Sequence, residues 1–329
     1  MIAVENGARI LRRVPALYGL VVAVATLLSS LATAQTPPQP QPPEPPVEGR
    51  LQFAISVESV TLDVVVVDKK GRFVPGLTRD SFEVLEDGLP QELSFFTAQF
   101  TPVTTLLLLD SSSSIRSNLS AIQTAAYLFA QTLSEGDKAR VGLFSDEVRF
   151  GIGYTDDIAT HLAMLKTMKA EGRTTLYDSI LASLAELASV EGRKSLLIFT
   201  DGDDAGPANM GSRASIEDVI EGAKESEVTI YTVGFTGWGP QGKDSVNRPF
   251  LTTLAAATGG RPFFPKKVEE VKKAFAEVQK DLHRHYRMAY PPANLSAGVR
   301  GWRNIEVKVK RAGLFVRTRQ GYYTRAPSE

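Results

Sequence analysis

The stretch "LLLLDSSSSIRS", Leu106 to Ser117, sets four leucines against one aspartate and a run of serines. With "VTT" in front, the apolar run from Val103 reads as a strand buried on both faces of a parallel sheet, where hydrophobicity is continuous rather than alternating. The serines have three readings: a linker, a helix start, or a set of oxygen ligands. The chain downstream sets the frame for choosing. "LSAIQTAAYLFAQTL", "DDIATHLAMLKTM", "LYDSILASLAELASV", "SIEDVIEGAKESE", "PFLTTLAAATGG" and "VEEVKKAFAEVQKDLHRHY" read as helices. Between them "KARVGLFSD", "KSLLIFTDG", "VTIYTVGF" and the edge segment "RPFFP" read as strands. Such alternation predicts an α/β fold, a doubly wound and mostly parallel sheet with helices on both faces.

Outward from this core the pattern is β on either side. "VTLDVVVVD" (60–68) is rich in β-branched residues, and "SFEVLEDGLPQELSFF" places two short strands around an Asp87-Gly88 turn signal. After Tyr286, "YRMAYPP", "NIEVKVKR" and "LFVRTRQGYY" give three more short strands. We expect residues 50–101 and 287–325 to build one small β-sandwich, with the α/β domain of residues 102–286 inserted in it or flanked by it.

The first 34 residues read as an export leader. Arg9, Arg12 and Arg13 precede an apolar core, Val14 to Leu31, and "ATA" (32–34) fits small-residue cleavage before Gln35. The membrane is reached only if that segment stays uncleaved as an anchor. Residues 35–49 form a proline-rich spacer of extended character. The expected location is therefore secreted, periplasmic or cell-surface. The chain has 329 residues and no cysteine, which excludes disulfides, thiolate metal sites and cysteine nucleophiles. Lys+Arg and Asp+Glu both number 37, so no overall field recruits nucleic acid.

In a doubly wound sheet, ligands bind at the carboxyl ends of the strands. Three polar clusters are expected there. Asp110, Ser112 and Ser114 stand at alternate positions, which point the same way in an extended turn. "FTDGDD" puts Asp201 at the end of another strand, and "EGRTTLYDS" puts Thr174 or Thr175 at a helix entrance. Carboxylates with hydroxyls, and neither His nor Cys, suit a hard divalent cation, Mg²⁺ first, with Mn²⁺ or Ca²⁺ as alternatives. Neutral hydroxyls leave such an ion short of negative charge, so a carboxylate from another molecule would strengthen the site.

These residues resemble the metal-ion-dependent adhesion site of von Willebrand factor type A domains, in order and in place, over roughly Val103 to Tyr286. The family pattern Gly-x-Thr-x-Leu-Tyr-Asp aligns Thr174 rather than Thr175. The resemblance implies a metal set of Asp110, Ser112, Ser114, Thr174 and Asp201. Ser112, Ser114 and sometimes Thr174 would coordinate directly, and the two aspartates largely through water. Ser111 and Ser113 stand where Thr and Gly are common, and read as spacers. The flanks, "VVVVDKKGRFVPGLTRDSFEVLEDG" and "IEVKVKRAGLFVRTRQGYY", resemble an exported bacterial subfamily, the acidobacterial type A-related domain.

Other polar residues have plainer readings. Asp203 and Asp204 are expected as solvated turn residues, and Asp178 as a helix-start hydrogen-bonding group. His283 and His285 would face the dipole at the end of the closing helix, and His161 is read as surface or packing. Arg300, Arg303, Lys308, Lys310, Arg311, Arg317 and Arg319 are expected on a solvated basic sheet face. "GFTGWGPQG" reads as a surface loop in which Trp238 contacts a partner. There is no Gly-x-Ser-x-Gly elbow and no Walker loop. The expected function is a non-enzymatic adhesion or interaction module that binds a protein through a partner Asp or Glu on the metal. The alternatives are a metal-dependent hydrolase using the same site and a structural domain with a vestigial one.

Overall fold

The leucine run is the strand Val103–Asp110 (β5), near the middle of a six-stranded sheet in a computed structural model that describes residues 59–205, 211–235, 246–292 and 301–324. The export leader, the spacer, Trp238 and Arg300 lie outside the described residues. The order of the sheet is β10-β9-β8-β5-β6-β7, made from Pro262–Phe263, Val228–Gly234, Arg193–Thr200, β5, Lys138–Phe144 and Val148–Phe150. All neighbours run parallel except β7, which turns back antiparallel on β6. That short return, Val148–Phe150, is a strand that the sequence reading did not place.

Among the described residues six helices cover the sheet: α1 (Leu119–Gln131), α2 (Ile158–Lys166), α3 (Leu176–Ala188), α4 (Ile216–Glu225), α5 (Arg248–Ala257) and α6 (Val268–His283). The alternation of side chains along β5 divides its leucines between two cores. Leu107 and Leu109 pack with residues of α1, α2 and α6. Leu106 and Leu108 pack with residues of α3, α4 and α5. All four leucines are buried, which is why the run shows no polar alternation.

Strands from the two ends of the chain interleave. One sheet has the order β13-β1-β11-β4, from Phe315–Arg317, Val60–Val67, Tyr286–Tyr290 and Phe95–Thr97. The other has the order β14-β12-β2-β3, from Gly321–Tyr323, Trp302–Val309, Phe82–Glu86 and Leu89–Gln91. Asp87 and Gly88 both take positive φ (49° and 82°), the conformation of a two-residue hairpin turn. Between the sheets Tyr286 stacks near Phe73, Phe82 and Phe96 with ring centroids 5.2–5.9 Å apart. One expectation needs correction. "LFVRTRQGYY" is two strands, not one: β13 pairs with β1, and β14 pairs with β12 in the opposite sheet. The connection crosses α5 on the way, with Gln320 N donating to Ala257 O at 3.3 Å.

Candidate functional site

From β5 the chain leads to β6 on one side, and only later to β8 on the other. The strand order reverses between β5 and β8, and a crevice opens at their carboxyl ends. Asp110 is the last residue of β5 and Asp201 follows the last residue of β8, so both are delivered to that crevice.

The first loop is shaped by its own hydrogen bonds. Ser112 N donates to Asp110 Oδ1 at 2.9 Å, and Thr200 Oγ1 donates to Asp110 Oδ2 at 2.8 Å. Ser112 is extended (φ −67°, ψ 167°) and starts a 3₁₀ turn over Ser113–Asn118. The turn brings Ser112 Oγ and Ser114 Oγ to 2.9 Å from each other. The intervening serines are not spacers, contrary to the sequence reading. Ser111 donates from N and from Oγ to Phe144 O, both at 2.8 Å, and Ser113 Oγ donates to Gly172 O at 2.8 Å. Alternate hydroxyls therefore stitch the loop to its neighbours while Ser112 and Ser114 face each other.

The second loop is bonded to the first, and the third to the second. Glu171 N donates to Ser111 O at 3.0 Å, and Ala205 N donates to Thr174 O at 2.9 Å. Gly172 has φ +85°, a left-handed backbone conformation that favours glycine. Thr175 Oγ1 donates to Ser145 O at 2.8 Å and is buried. The Thr174 hydroxyl makes no hydrogen bond among the described residues and is half-buried. Asp201 Oδ1 accepts from Asp203 N at 3.2 Å.

The electrostatics of the crevice are unbalanced. Burial, and then the charge of Asp201, push the Asp110 carboxyl up to about 7, against hydrogen bonds from Ser112 and Thr200 that lower it. Burial also raises Asp201 above the usual carboxylate range. No cation is among the strongest influences on either group. Among the described residues no three His, Cys, Asp or Glu side chains converge in a way that could hold a metal. An ion in this crevice would therefore depend on hydroxyls as well as the two carboxylates.

Several peripheral expectations change. Asp204 is not a solvated turn residue: it is half-buried and accepts from Ser212 N at 2.8 Å and Ser212 Oγ at 2.6 Å. Asp178 accepts from Arg213 N and Ala214 N, each at 3.0 Å, and so fastens the 211–214 segment beside α3. The hydrogen-bonding role expected of Asp178 is present, with partners 35 and 36 positions along the chain, whereas Asp204 bonds Ser212 only eight positions on. His161 is buried with Nε2 3.0 Å from Thr155 O. His283 Nε2 stands 2.7 Å from Asp137 Oδ2, and His285 is buried beyond the helix beside Asp63. The C-terminal cations do not form an unpaired basic face. Arg303 pairs with Asp87 at 2.9 Å, Arg317 with Asp281 at 2.8 Å, and Lys308 with Glu306 at 3.3 Å.

Residues 106–277, more than half of the chain, match the von Willebrand factor type A domain. No curated protein matches the chain in sequence. Among solved structures it is similar to BatB from Bacteroides thetaiotaomicron, at 14% identity over 54% of this chain and 98% of that one, with a TM-score of 0.43. It is similar to the vWF domain of the type V pili tip protein Mfa5 from Porphyromonas gingivalis, at 12% identity over 56% and 95%, with a TM-score of 0.45. It is also similar to a von Willebrand factor type A protein from Catenulispora acidiphila, at 14% identity over 82% and 74%, with a TM-score of 0.46.

Proposed function

We propose, for a chain that belongs to the von Willebrand factor type A domain family, that Asp110, Ser112, Ser114, Thr174 and Asp201 bind a divalent cation. In this reading an Asp or Glu from a partner protein completes the coordination. The observation that carries it is the buried Asp110. A carboxylate wholly out of water, with a second carboxylate raising it further, is costly in the charged form unless a cation is supplied. The facing hydroxyls of Ser112 and Ser114, 2.9 Å apart, and the unengaged hydroxyl of Thr174 supply neutral oxygen donors beside it. This donor set fits a hard ion such as Mg²⁺, with Mn²⁺ or Ca²⁺ as alternatives.

The bound ion supplies the positive charge that the crevice lacks. Two carboxylates cannot saturate a hard cation's preference for negative oxygen, so the partner's carboxylate gains affinity from the weakness of the protein's own donors. The role proposed is adhesion rather than catalysis. Among the described residues no His or Glu side chain hydrogen-bonds to any of the five, so none stands ready as a general base for metal-assisted hydrolysis. The apolar leader and proline-rich spacer support export, as expected for the acidobacterial subfamily that the flanking strands resemble. Among the described residues no helix is long and apolar enough to cross a membrane.

Calorimetric titration with Mg²⁺ tests the metal, comparing the full chain with Asp110→Ala. Saturable heat is expected for the first and none for the second. A wild-type chain that gives no heat with Mg²⁺, Mn²⁺ or Ca²⁺ contradicts the proposal. A partner captured equally with and without EDTA contradicts ligation through the ion while leaving metal binding intact.

A further inference from the structure

A cavity of about 50 Å³ lies at the opposite end of the parallel sheet, at the amino ends of β8 and β9, where the α/β domain meets the sandwich. It has room for roughly three or four waters. Five of its lining side chains are cationic and two are acidic. Arg193 is taken up by Asp63, Nε to Oδ2 at 2.8 Å, and Lys194 by Glu227 at 3.7 Å. Three cations are left. Arg287 Nε is 4.0 Å from Asp63 Oδ1 and donates no hydrogen bond among the described residues. Among the described residues Arg319 donates only to backbone carbonyls, from Nε to Gly321 O at 2.7 Å and from Nη2 to Lys224 O at 3.2 Å. Lys224 Nζ has no carboxylate partner among the described residues and stands 5.2 Å from the Trp302 ring centroid.

The carboxyl ends of α4 and α5 border the same cavity, and a plainer account would have the cations answer those helix dipoles. The magnitudes do not close. Each helix end carries roughly half a negative charge, against three full positive charges. Burial also disfavours the charged form of Arg319, lowering it from the usual guanidinium range. An anion in the cavity would offset both costs.

We infer that this cavity binds a phosphate-class oxyanion, held by Lys224, Arg287 and Arg319. Lys224 belongs to the α/β domain, Arg287 to the sandwich strand β11, and Arg319 to the connection between β13 and β14. The anion therefore ties the two parts of the fold together. Planar guanidinium groups match the oxygen pairs of such an anion. The inference does not rest on the metal site and is tested apart from it.

The full chain is titrated calorimetrically with inorganic phosphate at constant ionic strength. EDTA is present so that no divalent cation carries the anion. Acetate is the carboxylate control. Saturable heat is expected with phosphate, weaker heat with acetate, and affinity roughly tenfold lower or more in Lys224→Gln and in Arg287→Gln. The Lys224 ammonium makes no hydrogen bond among the described residues, so Lys224→Gln keeps the test readable if Arg287→Gln fails to fold. No saturable phosphate heat in the wild type overturns the inference. So does a phosphate heat unchanged in Lys224→Gln, or acetate binding as tight as phosphate.

Discussion

Thr200 Oγ1 donates to Asp110 Oδ2 at 2.8 Å across the β5–β8 junction, and the same hydroxyl accepts from Gly202 N at 3.1 Å. Both side chains have no exposed surface. One hydroxyl thus holds the carboxylate at the end of one strand and shapes the loop that carries Asp201 after the other. Replacing it by the isosteric Thr200→Val leaves Asp110 Oδ2 and Gly202 N without a partner. The expected loss is about 1–3 kcal/mol in urea unfolding, together with weaker Mg²⁺ binding. An unchanged unfolding midpoint would show that the bond contributes nothing.

The serine run divides into two roles that substitution can separate. Ser112→Ala and Ser114→Ala remove hydroxyls that face one another, so Mg²⁺ heat should fall at least tenfold with little change in stability. Ser113→Ala removes a bond to Gly172 O. It should cost about 1 kcal/mol of stability and keep a saturable Mg²⁺ heat. The reverse pattern, with Ser113→Ala abolishing metal binding and Ser112→Ala silent, would falsify the assignment.

How far these features could be read from sequence follows from the range of the interactions. The buried strand and its terminal Asp110 were legible because four consecutive leucines need apolar neighbours on both faces. The alternate spacing of Ser112 and Ser114 was legible because turn geometry is local. The stitching by Ser111 and Ser113 was not, since their acceptors, Phe144 O and Gly172 O, lie 33 and 59 positions away. A similar distance hid the partners of Asp178, which lie 35 and 36 positions along the chain. The division of "LFVRTRQGYY" between two sheets depends on a docking contact with α5 that no periodicity reveals.

His285 makes folding sensitive to acid. It is 2% exposed, neither ring nitrogen has a hydrogen-bond partner among the described residues, and Nε2 is 3.7 Å from Asp63 Oδ1. Burial, and then Arg193, pull its pKa from the ordinary 6.5 to about 4, with Arg287 and His283 adding to the fall and Asp63 opposing it. Between those two values the unfolded chain binds more protons than the folded one. The His285 contribution is therefore fully present above pH 6.5 and is lost as pH falls toward 4, by at most about 1.4 kcal/mol per pH unit, while Asp110, raised to about 7 in the metal-free fold, contributes in the opposite sense over the same window. Asp63, whose pKa is also depressed in the fold, adds a loss of the same sign below its unfolded value of 3.8. The change in urea midpoint from pH 7.5 to 4.5 should be more favourable to the folded state in His285→Gln than in the wild type, because the Asp110 contribution is common to both. An equal difference in both proteins would remove His285 as the cause.

The seam between the domain and the sandwich should fail at a glycine. Gly259 ends the α5 region with φ +82°, and a Cβ there would stand 2.6 Å from Thr318 C and 2.7 Å from Arg319 N, which are backbone atoms with no side-chain freedom to yield. Gly71 has a similar φ of +73° but nothing within 4 Å of its would-be Cβ. Gly71→Ala therefore isolates the cost of a left-handed alanine, about 1–2 kcal/mol. Gly259→Ala carries that cost and in addition forces the 318–320 segment off α5, breaking Gln320 N to Ala257 O and the bridge between Thr258 and Arg319. Its loss in urea unfolding should exceed that of Gly71→Ala by about 2 kcal/mol or more. The 318–320 segment should also exchange its amide hydrogens faster in Gly259→Ala than in the wild type. Equal losses in the two variants would mean that the segment can shift freely, and that the sandwich is not clamped to the domain at this point.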